Sequence, residues 1–132
     1  MQDGSERGSA PLEIRSKIWI ERHGAVVLSE WRVELLEAID ANGSLSRAAE
    51  ALEIPYRTAW ERVKATEGEL GFRLLDSESG GADGGGSRLT PEARDLCRRF
   101  RRVSGGIQEV VGRRFVAEFG ETGGVPILQG HE

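Results

Sequence analysis

The spacing of apolar residues changes several times along this chain, and each spacing predicts a different element. In residues 12–28 apolar and polar positions alternate, and β-branched and aromatic residues are enriched, which is typical of a half-buried β-strand. His23-Gly24 interrupts the alternation and has the residue types of a tight turn. The segment therefore predicts a β-hairpin near the N-terminus.

Residues 30–42 predict the first helix. Apolar residues recur there every three or four positions, at Val33, Leu35, Leu36 and Ile39. Ser29 is a candidate N-cap, and Asn42-Gly43 is typical of the end of a helix.

A close pair of helices is predicted next. Ser46 is the candidate N-cap of a helix of about seven residues, which must end before Pro55 because proline disfavours helical geometry at the residue that precedes it. Pro55 instead suits the opening turn of a third helix over residues 56–70, which ends at Gly71. The side of this third helix that we expect in the core carries Ala59, Trp60, Val63 and Leu70.

The remaining pattern predicts a two-stranded ribbon and a long helix. An extended run begins at residues 72–75, and residues 88–90 can pair back with it across a glycine-rich loop. Thr90-Pro91-Glu92 is a strong helix start, with a hydroxyl cap, a proline in the first turn and an acidic residue at the positive end of the dipole.

This last helix, over residues 91–119, has an apolar seam with the spacing of a coiled coil. The seam consists of Leu96, Phe100, Val103, Ile107 and Val110. Ser104-Gly105-Gly106 interrupts it, and because each glycine costs about 1 kcal/mol relative to alanine, we expect a kink or a helix break there.

Two short helices joined by a tight turn, the second followed by a β-ribbon, form the pattern of a winged helix-turn-helix. The predicted fold class is therefore mainly α with small β elements, a winged helix-turn-helix with an N-terminal β-hairpin and a long C-terminal dimerisation helix. The face of helix 56–70 that is not needed for packing would enter the major groove of DNA, where the N-terminal residues of such a helix meet base edges.

The candidate DNA-binding residues follow from this arrangement. Arg57 and Arg62 are expected to contact bases or phosphates, since a bidentate arginine on guanine is the commonest specific contact. The residues of the whole candidate site are Ser46, Arg47, Tyr56, Arg57, Thr58, Glu61, Arg62, Lys64, Arg73 and Arg88. Ser46 and Arg47, at the start of the second helix, would contact phosphate. Arg73 and Arg88 are the cations of the ribbon. The alternative for the helix 56–70 face is a solvated surface on which Glu61 and Glu67 pair locally with the basic residues.

Several segments of the sequence resemble the N-terminal DNA-binding domain of ModE-type molybdate-responsive regulators. The hairpin KIWIERHGAVVL is followed by GSLSRAAEALEIPYRTAW and by the ribbon pattern GG-x-x-GGG-x-x-LT. The combination of I-x-Y-R-x-A-W with that ribbon pattern is specific, whereas SRAAEAL is shared with LysR-type regulators. The resemblance covers roughly residues 13–100 and implies a homodimer that binds palindromic double-stranded DNA.

The resemblance does not extend to ligand sensing. Full-length regulators of this type carry a C-terminal oxyanion-binding module, and residues 120–132 contain only a glycine-containing tail. We therefore expect no binding of molybdate or another oxyanion by this chain, and no cofactor. Position 55 also differs from the family, because proline replaces the usual small polar residue there.

Composition argues against several classes of protein, and the net charge does not decide whether the chain binds DNA. There is no apolar run long enough to span a membrane and no apolar signal core, so a cytoplasmic location is expected. One cysteine and two histidines provide no disulfide, zinc cage or readable catalytic cluster, so we expect no enzyme and no metal. The net charge of −4 neither supports nor excludes DNA binding, although residues 91–119 carry seven arginines against four acidic residues.

The sequence therefore predicts one DNA-binding domain over residues 11–90. It is preceded by a disordered lead over residues 1–10 and followed by the dimerisation segment 91–119 and a flexible tail over 120–132. The most direct function is a sequence-specific transcriptional regulator that acts as a homodimer. The alternative is a winged-helix adaptor that dimerises or recruits a protein partner and has little affinity for DNA.

Overall fold

A computed structural model describes residues 10–77 and 86–121 of the chain. In chain order, the elements are β1 (Trp19–Arg22), β2 (Ala25–Ser29), α1 (Glu30–Asn42), α2 (Leu45–Ala51), α3 (Tyr56–Leu70), β3 (Leu75–Ser77), β4 (Ser87–Leu89) and α4 (Pro91–Phe119). This order confirms the predicted fold class, a mainly α winged helix-turn-helix with an N-terminal β-hairpin and a long C-terminal helix. Most of the predicted lead, most of the predicted tail and the middle of the ribbon loop lie outside the described residues.

The chain divides into two compact units. Among the described residues, one comprises residues 17–77 and 86–103, and the other comprises residues 10–16 together with 104–121. The first unit contains the hairpin, the ribbon, the three shorter helices and the N-terminal part of α4. The candidate DNA-binding residues therefore all belong to the first unit.

The hairpin is shorter than its sequence pattern predicts. Strands β1 and β2 are antiparallel, and their turn residues, His23 and Gly24, have φ values of 52° and 80°. Two successive residues at positive φ are typical of the type I′ turn, which matches the twist of the flanking strands. Trp19 pairs with Ser29, where β2 ends, so residues 12–18 have no strand to pair with and the expectation of a strand over that segment is wrong.

Helix α1 begins and ends as the sequence predicts. The Oγ atom of Ser29 accepts a hydrogen bond of 3.2 Å from the backbone N–H of Arg32, which satisfies one of the free donors of the first turn. Gly43 has a φ of 80° and its N–H donates to the carbonyl of Ile39 at 2.9 Å. A left-handed residue at this position ends the helix, and glycine adopts it without steric cost.

The start of α2 differs from the prediction by two residues. Ser44, not Ser46, is the N-cap, and its Oγ accepts a hydrogen bond of 3.0 Å from the N–H of Arg47. Both serines have the side chain that a cap requires, so the sequence alone does not distinguish them. Ser44 has extended backbone geometry after the turn at Gly43, which leaves Ser46 inside the first turn of α2.

The core of the first unit is formed by α1, α2, the inner face of α3 and the N-terminal part of α4. Its fully buried side chains include Phe100, Leu35, Ile39 and Leu74. Ala48, Ala49 and Ala59 are also buried, which is consistent with the close approach of α2 and α3. Trp60, by contrast, is 45% exposed, so its predicted place in the core is wrong.

Helix α4 is continuous through its two central glycines. Its start is confirmed, because the Thr90 hydroxyl accepts a hydrogen bond of 3.1 Å from the N–H of Ala93. The helix extends over 29 residues and includes Ser104-Gly105-Gly106, so the expected helix break is wrong. Two glycines lower helix propensity by about 2 kcal/mol together. A break would leave several backbone groups without helical partners and would require a second helix nucleation.

Candidate nucleic-acid interface

The two sides of α3 have opposite environments. Ala59, Val63 and Thr66 are buried on its inner side. The Thr66 hydroxyl donates to the carbonyl of Arg62 at 2.8 Å and accepts from Nη1 of Arg32 at 3.1 Å, which ties α3 to α1. Because packing uses only this side, the opposite face of α3 is available for contact with another molecule.

The candidate residues are nearly all at the surface. Those with exposed side chains are Ser46, Arg47, Tyr56, Arg57, Glu61, Arg62, Lys64, Arg73 and Arg88, and Thr58 is half-buried. Exposure is compatible with DNA contact and equally with solvation. Their relative positions are therefore more informative than their exposure alone.

Two ion pairs lie along the outward face of α3. Nε of Arg57 is 3.2 Å from Oε2 of Glu61, one helical turn away, and both side chains are largely exposed. Nζ of Lys64 is 3.3 Å from Oε1 of Glu67. An exposed pair of this kind contributes about 0.5 kcal/mol or less, so DNA phosphates or guanine can compete for Arg57 at small cost.

Two aromatic side chains lie on the same face. Tyr56 is 54% exposed and Trp60 is 45% exposed. Nζ of Lys64 lies 5.9 Å from the centroid of the Trp60 ring, close enough for a cation–π interaction. Trp60 was not among the predicted site residues because helical spacing assigned it to the same side as Val63 and Leu70, which was expected in the core. The signal that would have found it is the spacing Tyr56, Trp60, Lys64, which is a stripe at intervals of four.

A narrow cleft separates this face from the ribbon. It has a volume of about 170 Å³. Its lining includes Tyr56, Trp60 and Lys64 from α3 and Arg73 from the start of the ribbon. The structure therefore brings Arg73 together with the outward face of α3.

Glu67 and Asp40 hold the ribbon in position beside α3. The second carboxylate oxygen of Glu67 accepts from the N–H of Leu74 at 2.8 Å. Asp40 of α1 accepts from the N–H of Leu89 at 3.2 Å and from two nitrogens of Arg94 at 3.1 and 3.2 Å. The bonds with Arg94 lower the pKa of Asp40, whereas its burial opposes this shift, so the carboxylate is ionised at neutral pH.

The two cations of the ribbon have different surroundings. Arg73 is exposed, and its Nη2 donates to the carbonyl of Leu75 at 3.2 Å. Arg88 is exposed on β4 and lies opposite Asp76 in the strand register. The ribbon thus presents one basic residue beside the cleft and a second basic residue next to an acidic one.

Arg62 is separated from the other basic residues of α3. Its guanidinium carbon lies 5.4 Å from the centroid of the Trp31 ring, on the side of the hairpin. Trp31 is half-buried and packs against the core. Arg57 and Arg62 were each predicted to contact a base or a phosphate, and the structure places Arg57 beside Glu61 and Arg62 beside Trp31.

No helix in the described part of the chain is long and apolar enough to cross a membrane. Among the same residues there is no cluster of three or more histidine, cysteine or acidic side chains arranged to hold a metal ion.

Comparison with known proteins connects this geometry to one family. Residues 32–94 match the family described as "Bacterial regulatory helix-turn-helix protein, lysR family". The chain is 35% identical over 92 residues to the molybdenum-pterin-binding protein MopB of Rhodobacter capsulatus, covering 70% of this chain and 34% of that protein. It is 33% identical over 86 residues to the molybdenum transport protein ModE of Azotobacter vinelandii, covering 65% of this chain and 32% of the relative.

A solved structure supports the same fold. The structure described as the CbnR_DBD-DNA complex matches with a TM-score of 0.52 at 20% identity, covering 67% of this chain and 95% of that one. The chain spans about a third of the length of the curated relatives that it matches. The family and these relatives confirm the resemblance to ModE-type and LysR-type proteins. Residues 32–94 therefore resemble, in sequence and in fold, the helix-turn-helix domains of LysR-type bacterial regulatory proteins.

Proposed function

We propose that this protein is a sequence-specific transcriptional regulator that binds double-stranded DNA as a homodimer in the cytoplasm. The observation that carries the proposal is the outward face of α3, where Tyr56, Arg57, Trp60 and Lys64 are exposed while the opposite face is committed to the core. In this proposal α3 enters the major groove, whose width of about 12 Å accepts a helix.

The exposed groups on α3 differ in what they can recognise. The guanidinium group of Arg57 would release the carboxylate of Glu61 and bond to guanine or to a phosphate. Glu61 could then accept a hydrogen bond from a cytosine amino group. Trp60 and Tyr56 would contact thymine methyl groups or the sugar edge, and Lys64 would contact phosphate. Thr58 is half-buried and would contribute a hydroxyl at the edge of the interface.

The remaining candidate residues would position the protein on the DNA backbone. These are Ser46 and Arg47 on α2, Arg62 on the flank of α3, and Arg73 and Arg88 on the ribbon. Contacts to phosphate fix the register of a protein on DNA but carry no sequence information directly. We therefore expect their loss to weaken binding to all sequences about equally.

The homodimer would form through α1 and α4. The apolar seam of α4 continues beyond the core of the first unit, and Val103, Ile107 and Val110 on it are 51%, 38% and 44% exposed. Exposed apolar residues at coiled-coil spacing favour contact with a second copy of the same helix. Two-fold symmetry would then place two half-sites about 34 Å apart on the DNA.

The first test is the selection of bound sequences from a random pool of duplexes with the full chain. We expect a palindrome with half-sites about one helical turn apart. On a selected duplex, the affinity should fall steeply with salt, by a slope of about 0.9 per phosphate contacted, because bound counterions are released. Absence of binding even at low salt would instead support the adaptor function.

The second test replaces Arg57. Arg57→Ala should cost about 1–3 kcal/mol of binding on the selected sequence and relax the preference at one base position. Arg99→Ala is the matched control, because Arg99 is also exposed and also pairs with an acidic residue four positions away, Asp95, but lies on α4. An equal loss on selected and random DNA would assign Arg57 to phosphate rather than to a base.

A further inference from the structure

A second surface of the first unit has the composition of a binding site and lies outside the cleft described above. It is an open pocket of about 390 Å³ between the hairpin, α1 and α3. The residues that line it include Lys17, Trp19, Ser29, Trp31, Arg32 and Arg62, and we call it the indole pocket. Three of these side chains are cationic, two are indoles and none of the lining residues is acidic.

The cations of the indole pocket are only partly balanced by acidic side chains, since Glu69 lies close enough to Arg32 to act on its charge. None of the three forms an ion pair with a residue in the described ranges, although six other arginines of those ranges do. Arg32 is half-buried, and among the described residues its Nη1 donates to two neutral oxygens, those of Val27 and Thr66, at 3.3 and 3.1 Å. Burial and the nearby charge of Arg62 lower the pKa of Arg32, and the carboxylate of Glu69 opposes this shift without reversing it. An anion in the pocket would therefore relieve an unfavourable concentration of positive charge.

The two indole rings make the pocket selective for more than charge. Trp19 is 50% exposed, which is unusual for so large an apolar side chain, and its Nε1 donates to Glu21 at 2.6 Å. Trp31 is covered on one side by the guanidinium of Arg62, at 5.4 Å from the ring centroid. Aromatic faces next to cations suit a flat ligand with an anionic edge, since rings stack on the indoles and the anion bonds to the guanidinium groups.

We propose that the indole pocket binds a small aromatic carboxylate. The ring of the ligand would lie against Trp19 and Trp31, and its carboxylate would bond to Arg62 and Arg32, with Lys17 adding positive charge. This proposal departs from the expectation that the chain binds no oxyanion, because here the flat apolar body of the ligand is recognised together with its charge. It does not depend on DNA binding.

Through Arg62, such a ligand would affect the proposed binding of DNA by α3. Arg62 belongs to α3, the helix whose other flank carries Arg57 and Trp60. A ligand that neutralises Arg62 would remove one cation that we have proposed to contact the DNA backbone. Occupancy of the indole pocket would then lower affinity for DNA without blocking the outward face of α3.

The chain contains its own internal control for the test. Its three tryptophans give three indole N–H signals in a nitrogen–proton NMR spectrum, and only Trp19 and Trp31 line the pocket, whereas Trp60 lies in the cleft beside the ribbon. Benzoate is the probe, benzamide is the matched flat molecule without charge, and cyclohexanecarboxylate is the matched anion without a flat ring. Molybdate provides an inorganic oxyanion without an apolar body.

We expect benzoate to shift the Trp19 and Trp31 signals in a saturable way and to leave the Trp60 signal in place. The three matched probes should shift them at least about tenfold more weakly. Arg62→Gln should weaken benzoate binding about tenfold, because a charge-assisted hydrogen bond is lost. Lys64→Gln, which removes a cation of the same helix outside the pocket, should not change it.

Three outcomes would overturn the proposal. Equal shifts with benzoate and molybdate would show that charge alone is recognised. Shifts of all three indole signals together would indicate nonspecific binding. No response to benzoate, with shifts of the Trp19 and Trp31 signals on addition of a DNA duplex, would assign the pocket to the DNA backbone. None of these results bears on whether the outward face of α3 binds DNA. Ligand binding by the indole pocket and DNA binding by α3 can therefore be refuted independently of each other.

Discussion

Ala59 and Trp60 are consecutive residues of α3, and they lie in opposite environments. Ala59 is completely buried, whereas Trp60 is 45% exposed and lies beside Lys64. Successive residues of a helix are about 100° apart, so a tryptophan next to a core position lies at the edge of the packed side. Here that edge faces the cleft beside the ribbon, and the largest side chain of α3 belongs to the candidate interface.

Replacing Trp60 should separate binding from stability. Trp60→Ala should change the free energy of unfolding by less than about 1 kcal/mol, because the Trp60 side chain is partly exposed and its contacts lie at the surface. It should weaken binding to a selected duplex clearly more than that. Val63→Ala, three positions along and 3% exposed, is the matched change and should cost about 2 kcal/mol of stability. Equal destabilisation by both changes, measured in urea, would place Trp60 in the packing of the domain.

Asp40 gives a prediction about pH. Its bonds with Arg94 lower its pKa below the ordinary value of 3.8. The carboxylate therefore contributes stability above pH 3.8, and this contribution is lost as the pH falls through the lower value in the folded state. Asp40→Asn should destabilise the domain at neutral pH, and the difference from the unmodified protein should shrink progressively below pH 3.8.

Asp95→Asn is the control for this measurement. Asp95 also has a lowered pKa, caused mainly by Arg99, but both side chains are exposed and belong to the same helix. Solvent screens such a pair, so its replacement should have a smaller effect on unfolding by denaturant at any pH. A pH-independent effect of Asp40→Asn would contradict an ionic role for the link between α1, β4 and α4.

At the scale of elements, α4 combines two environments in one helix. In its N-terminal part Cys97 and Phe100 are buried, and Arg101 bonds to Glu30 at 2.6 Å and to Glu37 at 2.7 and 3.1 Å, which fixes α4 against α1. Burial raises the pKa of the Cys97 thiol to about 11, so the thiol is protonated at neutral pH. After residue 103 the helix continues in the second unit with mostly exposed residues.

The central glycines of α4 should be replaceable by alanine. A Cβ atom added at Gly105 or Gly106 would meet no heavy atom within 4 Å. The double change to alanine should therefore increase helix content by circular dichroism and slow hydrogen exchange in this segment, since each substitution favours the helix by about 1 kcal/mol.

Gly71 provides the contrasting substitution. It also has free space around it, but its φ is 85°. Gly71→Ala should destabilise the domain by about 1 kcal/mol or more, because residues with a Cβ resist the left-handed region.

If the changes at Gly105 and Gly106 reduced helix content or dissociated a dimer, the glycines would have to serve close approach by a second copy.

At the scale of the whole molecule, the part of the apolar seam of α4 that follows Phe100 is exposed in the described part of the chain. Val103, Ile107 and Val110 are exposed at intervals of four and three. A domain of this size leaves a large share of its surface exposed and gains stability from association. The proposed homodimer accounts for these residues and supplies the two-fold symmetry that palindromic DNA requires.

A charge in the seam should produce a monomer. Ile107→Glu is expected to dissociate the proposed dimer in sedimentation experiments and to weaken DNA binding by at least about tenfold, because one protomer would contact only one half-site. Gln108→Glu adds the same charge at the next position, which is exposed and outside the seam, and should change neither property. A protein that remains dimeric with Ile107→Glu would have its interface elsewhere.

The sequence by itself determined the order and nearly all the bounds of the helices, because their signals are local. Ser29, Thr90 and the glycines at 43 and 71 act on the backbone within a few residues of themselves, and the structure confirms each of them. The resemblance to ModE-type regulators was also evident from the sequence, since the hairpin, the helix pair and the ribbon occur together in one order.

Only the tertiary structure decided which polar and aromatic side chains share a surface. Elements that are far away in the sequence determine whether Trp60 is buried and whether Arg62 lies beside Trp31 or with Arg57. They also determine whether the ribbon brings Arg73 to α3. Helical periodicity assigns a residue to a side of its helix, but it does not say what covers the edge of that side. The candidate interface and the indole pocket are both built from such edges.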